Sequence, residues 1–193
     1  MFEFIIVAFI SYFMGSIPFG LILSELLGHG DLRKSGSGNI GATNAMRVGG
    51  KKLGILTLIL DALKGVIPII IFLFLNFSDT LIALCGVAVV LGHVFPVWLK
   101  FKGGKGVATA VAVLLVSVPY VGLVFVFSWL LVFALSRTVS LASLCAVLCS
   151  TITAFWFATP YFIMSLVLCI LIFYRHKENI KRILNGTELK FKK

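Results

Sequence analysis

The sequence predicts an all-α integral membrane protein: a seven-transmembrane-helix bundle, with five spans as the alternative count, and its polar loops on the cytoplasmic side. Three observations predict it. Hydrophobic residues make up 60% of the 193 and charged residues 12%, about half the charged share of a soluble domain. The apolar residues gather into segments that approach or exceed the roughly 20 residues a helix needs to cross a bilayer. The cations, which give a formal charge of +10, cluster at Arg33–Lys34, Arg47–Lys52, Lys100–Lys105, Arg137 and Arg175–Lys193. Residues 1–193 therefore read as one membrane domain, with no room for a separate soluble one. Clusters that flank spans argue against nucleic acid as a partner. Cytoplasmic retention of positive charge explains part of them, and anionic lipids or phosphorylated substrates the rest.

Taken in order, residues 4–24 make the first span. MFEFIIVAFI carries no basic n-region, so this segment is expected to stay as a span rather than be cleaved. Its GSIPFG stretch should bend the helix at Pro18 and let another backbone approach Gly15 or Gly20. Residues 53–75 and 80–99 make the next two spans. With the basic loops inside, the N-terminus lies outside. Segments 107–136 and 138–174 read as one crossing each, for five in total, or as four, split at Pro119 and near Thr159–Pro160, for seven. Both counts leave the C-terminus inside. Only seven also puts Arg137, Ser140 and Ser143 there, although 107–118 as a helix rises only about 18 Å and must be tilted or sheltered. The last stretch, HKENIKRILNGTELKFKK, sets Ile180, Ile183 and Leu184 at helical spacing among Lys177, Lys181 and Arg182. It is expected to lie as an amphipathic helix at the inner interface, ending near Gly186. Cys85, Cys145, Cys149 and Cys169 sit in apolar segments without a C-x-x-C pair and read as small buried hydrophobes.

On this topology the polar stretches share one side. KSGSGNIGATNAMR combines Gly36, Gly38 and Gly41, whose backbone N–H groups can turn toward one point, with Ser35, Ser37, Asn39, Thr43 and Asn44 as side-chain donors. That composition suits phosphate, and Arg47 adds a planar fork for phosphate oxygens. A flexible loop whose asparagines cap helices explains the same composition. GGKG sets Lys105 between glycines without being a P-loop; Lys100 and Lys102 read as ordinary retained cations. His93 lies within a span, where it needs a partner or a role. Asp61 and Lys64, three residues apart, can pair on one helical face; unpaired, each would cost about 2.5–3.5 kcal/mol near the bilayer centre. His176 and Asn179 share a face of the last helix. No G-x-S-x-G elbow, no H-x-x-x-x-D box and no metal-ligand cluster is present.

Taken together, GSIPFG, SGSGNIGATNAMR, GHVFPVWLKFKGGKGVAT and HKENIKRILNGTE resemble the bacterial acyl-phosphate:glycerol-3-phosphate acyltransferases, the PlsY-type family, in order and spacing across the whole chain. The resemblance implies transfer of a fatty acyl group from a long-chain acyl phosphate to the 1-hydroxyl of glycerol 3-phosphate. The products would be lysophosphatidic acid and inorganic phosphate, in the first acylation of bacterial phospholipid synthesis. It implies seven helices in the cytoplasmic membrane, no metal or organic cofactor, membrane lipids as surroundings and no obligate protein partner. By motif position it assigns Ser35, Ser37, Gly38, Asn39, Thr43, Asn44 and Arg47 from the first block. His93, Lys105 and Gly106 come from the second, and His176, Asn179 and Glu188 from the third. Ser140 and Ser143 join by proximity on the seven-span count.

Acyl phosphate is an activated mixed anhydride, so the hydroxyl is expected to attack its carbonyl directly, without an acyl-enzyme. Lys105 and Arg47, with loop amides near Gly38, are expected to stabilise the departing phosphate. The proton goes to His176 or to a phosphate oxygen of the donor. The donor oxygen is preferred, because no histidine has an evident orienting carboxylate in the sequence. An organic-phosphate transporter is the alternative, weakened by the lack of an internal repeat and the one-sided polar residues.

Overall fold

Proline and glycine set the breaks in this bundle. The structure, a computed structural model, describes residues 1–157 and 159–191, so the last two lysines of the C-terminal basic cluster lie outside the described residues. The first span is two helices, α1 (Phe2–Gly15) and α2 (Phe19–Leu26), separated where Pro18 has no N–H to continue the ladder. A loop with a short 3-10 turn at Leu32–Lys34 leads into α3 (Ala42–Phe74), which kinks at Gly49–Gly50. Gly50 takes φ 74° and ψ −172°, a conformation reserved for glycine. After α4 (Asp79–Val94) come a 3-10 turn at Val97–Leu99 and then α5 (Val107–Ser117). α6 (Pro119–Ser136), α7 (Val139–Ala154) and α8 (Thr159–Arg175) follow. The chain then bends by 62° into α9 (Lys177–Leu184).

Among the described residues, four helical stretches are long and apolar enough to cross a membrane: Phe2–Leu26, Ala42–Phe74, Asp79–Leu99 and Pro119–Ser136; the bent α8–α9 pair makes up to five. α5 and α7, at 11 and 16 residues, fall short of a lone crossing. Length alone therefore gives four or five spans rather than seven. The helix breaks still fall where the sequence put them. Pro119 opens α6 and Thr159 opens α8, so the described residues of 107–174 form four helices, not two.

α1 packs on α4, α3 on α5, α6 on α7, and both α4 and α7 on α8. A Cβ on Gly15 would lie 2.0 Å from the carbonyl oxygen of Val89, and one on Gly20 2.0 Å from that of Ile40. GSIPFG thus bends its helix and admits neighbouring backbone as expected. Val7, Val89, Leu114, Phe125 and Leu168 fill the interior, while Ile5, Phe9, Ile59, Phe127 and Leu131 point outward, an apolar exterior that suits lipid. All four cysteines are free thiols; Cys85 and Cys169 are buried, but Cys145 is only partly so and Cys149 faces outward. The reading of all four as buried is corrected for those two, because an apolar segment gives its lipid face and its core face the same composition.

The break at Pro18 has a polar counterpart. Lys64 forms a 2.8 Å ion pair with Asp61, both groups almost fully buried, and Lys64 Nζ also donates to the Ile17 carbonyl at 2.8 Å. One ammonium thereby neutralises a buried carboxylate and satisfies a carbonyl beside the helix break. At one end of the bundle, Tyr161 Oη donates to Asp79 at 2.7 Å, joining the starts of α8 and α4. At the other end the start of α7 meets the segment after α9, where Ser140 Oγ donates to Glu188 at 2.8 Å.

Candidate active site

A cavity of about 610 Å³ opens at that second end, walled by α3, α5, α6 and α9 and by the segment after α9. Its mouth gathers Ser37, Asn39, Thr43, Asn44, Arg47, Lys105, Gly106, Ser140, Ser143, His176, Asn179 and Glu188, and His93 lines it deeper in. Residues from blocks more than a hundred positions apart thus share one space. Ser35 and Gly38 do not line it.

Asn44 organises the loop that opens the site. Its Oδ1 accepts the Ser37 N–H at 2.7 Å, and its Nδ2 donates toward the carbonyls of Leu32, Ser35 and Asn39 at 3.0, 3.1 and 2.8 Å. Buried to 1% exposure, this side chain shapes the loop and has little left for a ligand. The open cradle of loop amides expected around Gly38 is likewise absent. The Gly38 N–H donates to the Ser35 carbonyl at 3.1 Å, and the Gly41 N–H to Asn39 Oδ1 at 2.8 Å. Backbone donors come instead from helix ends. α3 begins at Ala42 and α5 at Val107, and Ala42, Thr43, Val107 and Ala108 all line the cavity. First-turn N–H groups have no carbonyl of a preceding turn to bond, and the helix dipole favours an anion there.

The Lys105 loop is held flat against His93. The Gly104 N–H donates to the His93 carbonyl at 3.1 Å, and a Cβ on Gly104 would lie 2.0 Å from His93 Nε2. Arg175 donates to the carbonyls of Gly103 and Gly104 at 2.7 and 3.1 Å. His93 Nδ1 is buried without a hydrogen-bond partner, 3.6 Å from Asp61 Oδ1, and Asp61 also lines the cavity. So a carboxylate does face one histidine of the site, at a distance too long for a hydrogen bond.

Lys105 Nζ donates to Asn179 Oδ1, and Asn179 Nδ2 donates to Glu188 Oε1 at 2.5 Å. Glu188 takes Arg182 Nε on its other oxygen at 2.7 Å. This carboxylate therefore holds Asn179, Arg182 and Ser140 in place, with partners on both of its oxygens. Burial raises the Glu188 pKa, but the bonds from Asn179, Arg182 and Ser140 outweigh it and keep the group below the usual carboxylate range. Burial lowers the Lys105 pKa to about 8; Glu188 pulls it upward, while Arg182, Arg47 and Arg175 push it further down. His176 Nδ1 pairs with the Ile172 carbonyl at 2.8 Å. A carbonyl only accepts, so Nδ1 carries the proton and Nε2 is left with a lone pair. Burial, then Lys105, lowers the His176 pKa to about 4.

Below the mouth the wall turns apolar, with Ile55 and Leu58 from α3, Val111 from α5 and Phe125, Trp129 and Phe133 from α6. Trp129 Nε1 donates to Ser143 Oγ at 3.2 Å, which gives Ser143 a place in the wall. The motif reading missed these wall residues, and it missed Arg182, Arg175, Asp61 and Phe191. Arg182, inside the HKENIKR block, and Asp61, a carboxylate within an apolar span, did carry a sequence signal.

The chain matches the model of the family described as glycerol-3-phosphate acyltransferase over residues 5–186. It is 47% identical to a glycerol-3-phosphate acyltransferase of Pelagibacter ubique, over 98% of both chains. It is 50% identical to that of Caulobacter vibrioides NA1000, over 94% of this chain and 85% of the relative. Among solved structures it superposes on PlsY, an integral membrane glycerol 3-phosphate acyltransferase, in its glycerol 3-phosphate form. The TM-score is 0.93 at 42% identity, over 98% of this chain and 96% of the other. The lysophosphatidic acid form of PlsY gives a TM-score of 0.91 at 41% identity, over 98% and 95%.

Proposed function

The chain belongs to the glycerol-3-phosphate acyltransferase family and is a multi-pass membrane acyltransferase, and from that premise we propose how its cavity performs the transfer. Glycerol 3-phosphate binds at the mouth, and a long-chain acyl phosphate lays its chain along the Ile55–Trp129 wall. The acyl group moves to the 1-hydroxyl, giving lysophosphatidic acid and inorganic phosphate. The observation that carries this reading is one cavity in which an apolar wall ends at two cations, Arg47 and Lys105, and at two helix N-termini. Two phosphates call for that much positive potential, and charge-assisted bonds are worth about 1.5–3 kcal/mol each.

The hydroxyl oxygen attacks the acyl carbonyl carbon, a new ester C–O bond forms, and the carbonyl C–O bond to phosphate breaks. The electron pair leaves on the phosphate, where Lys105 and Arg47 stabilise the added charge. The hydroxyl proton passes to a phosphate oxygen of the donor. A His176 lowered to about 4 is a weak proton acceptor at neutral pH, which supports the donor oxygen. Asn179 and Glu188 keep Lys105 aimed. No acyl-enzyme forms.

The mouth faces the cytoplasm and the N-terminus the opposite side of the bacterial inner membrane. The clustering of Arg47, Lys105 and Arg182 at one end supports this through the positive-inside rule. Seven crossings are supported by the bonds that bring Ser140 and Arg137 to the same end as Lys105. α5 and α7 then cross as short helices sheltered by their neighbours.

Purified protein in liposomes, given glycerol 3-phosphate with acyl phosphate, acyl-CoA or acyl-carrier protein in parallel, tests the reading. Lysophosphatidic acid and inorganic phosphate should appear with acyl phosphate alone. Product from acyl-CoA at a comparable rate would reject the donor assignment.

A further inference from the structure

The segment after α9 runs past residue 186, where the family match ends, and returns to the site. Glu188 anchors it through Ser140, Asn179 and Arg182. Three residues on, the Phe191 N–H donates to the carbonyl of Arg137 at 2.9 Å. The Phe191 ring meets Phe133 edge-on at 5.9 Å and 77°, and Phe133 stacks on Trp129 at 4.9 Å and 19°. The Arg47 guanidinium carbon lies 5.5 Å from the Phe191 ring centre. A ladder of three rings therefore runs from the apolar wall to the cation at the mouth.

Arg47 needs such a support. Its side chain is exposed, and the charges of Glu188 and Arg182 act on it from a distance. Among the described residues no hydrogen bond or ion pair holds its guanidinium; the Phe191 ring is its partner. A ring face attracts a cation within about 6 Å and also suits the flat guanidinium by stacking. An aliphatic side chain of similar size would fill the same space without that attraction.

We propose that Phe191 is a positioning residue. Its ring, fixed by Arg137 and Phe133, sets the direction in which Arg47 meets the substrate phosphate, so the C-terminal segment completes the site. This rests on the reading of Arg47 as a phosphate ligand.

The test compares Phe191→Leu, Phe191→Tyr and Phe191→Trp in kcat/KM and melting temperature, with Arg47→Lys alone and combined with Phe191→Leu. Phe191→Leu should lower kcat/KM about fivefold, the size of an exposed cation–π contact, at an unchanged melting temperature. Tyr and Trp should restore it to within about twofold, since their ring faces also attract a cation. Phe191→Leu should add little to Arg47→Lys, since the two act as one unit. A loss that follows melting temperature, or that adds fully to Arg47→Lys, overturns the proposal while leaving Arg47 as a ligand. A fully active Arg47→Lys overturns both.

Discussion

Lys105 donates its ammonium to Asn179 Oδ1 across 74 residues of sequence, and Glu188 holds that asparagine from its other side. This half-buried lysine is thus aimed by an amide that a carboxylate fixes. Its pKa near 8 makes it titrate within reach of an assay. The charged form exists below that pH and is the form that binds phosphate. The kcat/KM should hold up to about pH 8 and then fall about tenfold per unit, since this ratio reports the free enzyme. Lys105→Arg, charged throughout, should move the fall to higher pH in whatever activity it keeps. Lys105→Ala should lower kcat/KM by about 10²–10³ while the protein still inserts and purifies. An alkaline limb that does not move with arginine would detach Lys105 from it.

His176 gives the opposite expectation. Held near 4 by burial and by Lys105, it is already neutral throughout the usual assay range. His176→Ala should therefore keep the shape of the pH–rate profile from pH 5 to 8, whatever rate remains. A lost titrating limb together with a loss of several orders of magnitude would make His176 the base and displace the donor oxygen.

Gly104→Ala places a methyl 2.0 Å from His93 Nε2, so the loop must lift and carry Lys105 with it. A displacement of that order costs about 10² in kcat/KM, whereas overpacking of one buried methyl costs about 1–3 kcal/mol in stability. Activity should collapse while most of the melting temperature is kept. A near-native rate would show that the loop tolerates a shift.

Asp61 and Lys64 should behave as a pair. Lys64→Met leaves a buried carboxylate without its 2.8 Å partner and the Ile17 carbonyl without a donor, a loss of about 3–5 kcal/mol. Asp61→Asn with Lys64→Met removes both charges and should melt higher than Lys64→Met alone in the same detergent. Equal or lower melting of the double variant would deny the pairing.

Much of this was legible in the sequence, for identifiable reasons. Pro18, Pro119 and Thr159–Pro160 mark real helix breaks because a missing N–H acts locally. The three polar blocks converge because a bilayer leaves polar residues few other places to go. Hydrogen-bond destinations were not legible. Whether the Gly38 N–H faces an anion or the Ser35 carbonyl depends on loop geometry that composition does not encode. Glu188 sits in a motif beside residues expected to bind substrate, and only the structure shows its oxygens taken by Ser140, Asn179 and Arg182. Phe125 and Trp129 were invisible as a cavity wall, since residues facing lipid and residues facing an acyl chain are drawn from the same apolar set.

Direct transfer is the central claim, and rapid quenching with intact-protein mass measurement tests it most directly. Protein mixed with acyl phosphate, with and without glycerol 3-phosphate, is stopped within a single turnover and weighed. Direct transfer leaves an unmodified chain at every time point, with lysophosphatidic acid formed only when both substrates are present. An acyl adduct that forms with the donor alone and disappears on adding glycerol 3-phosphate would contradict it.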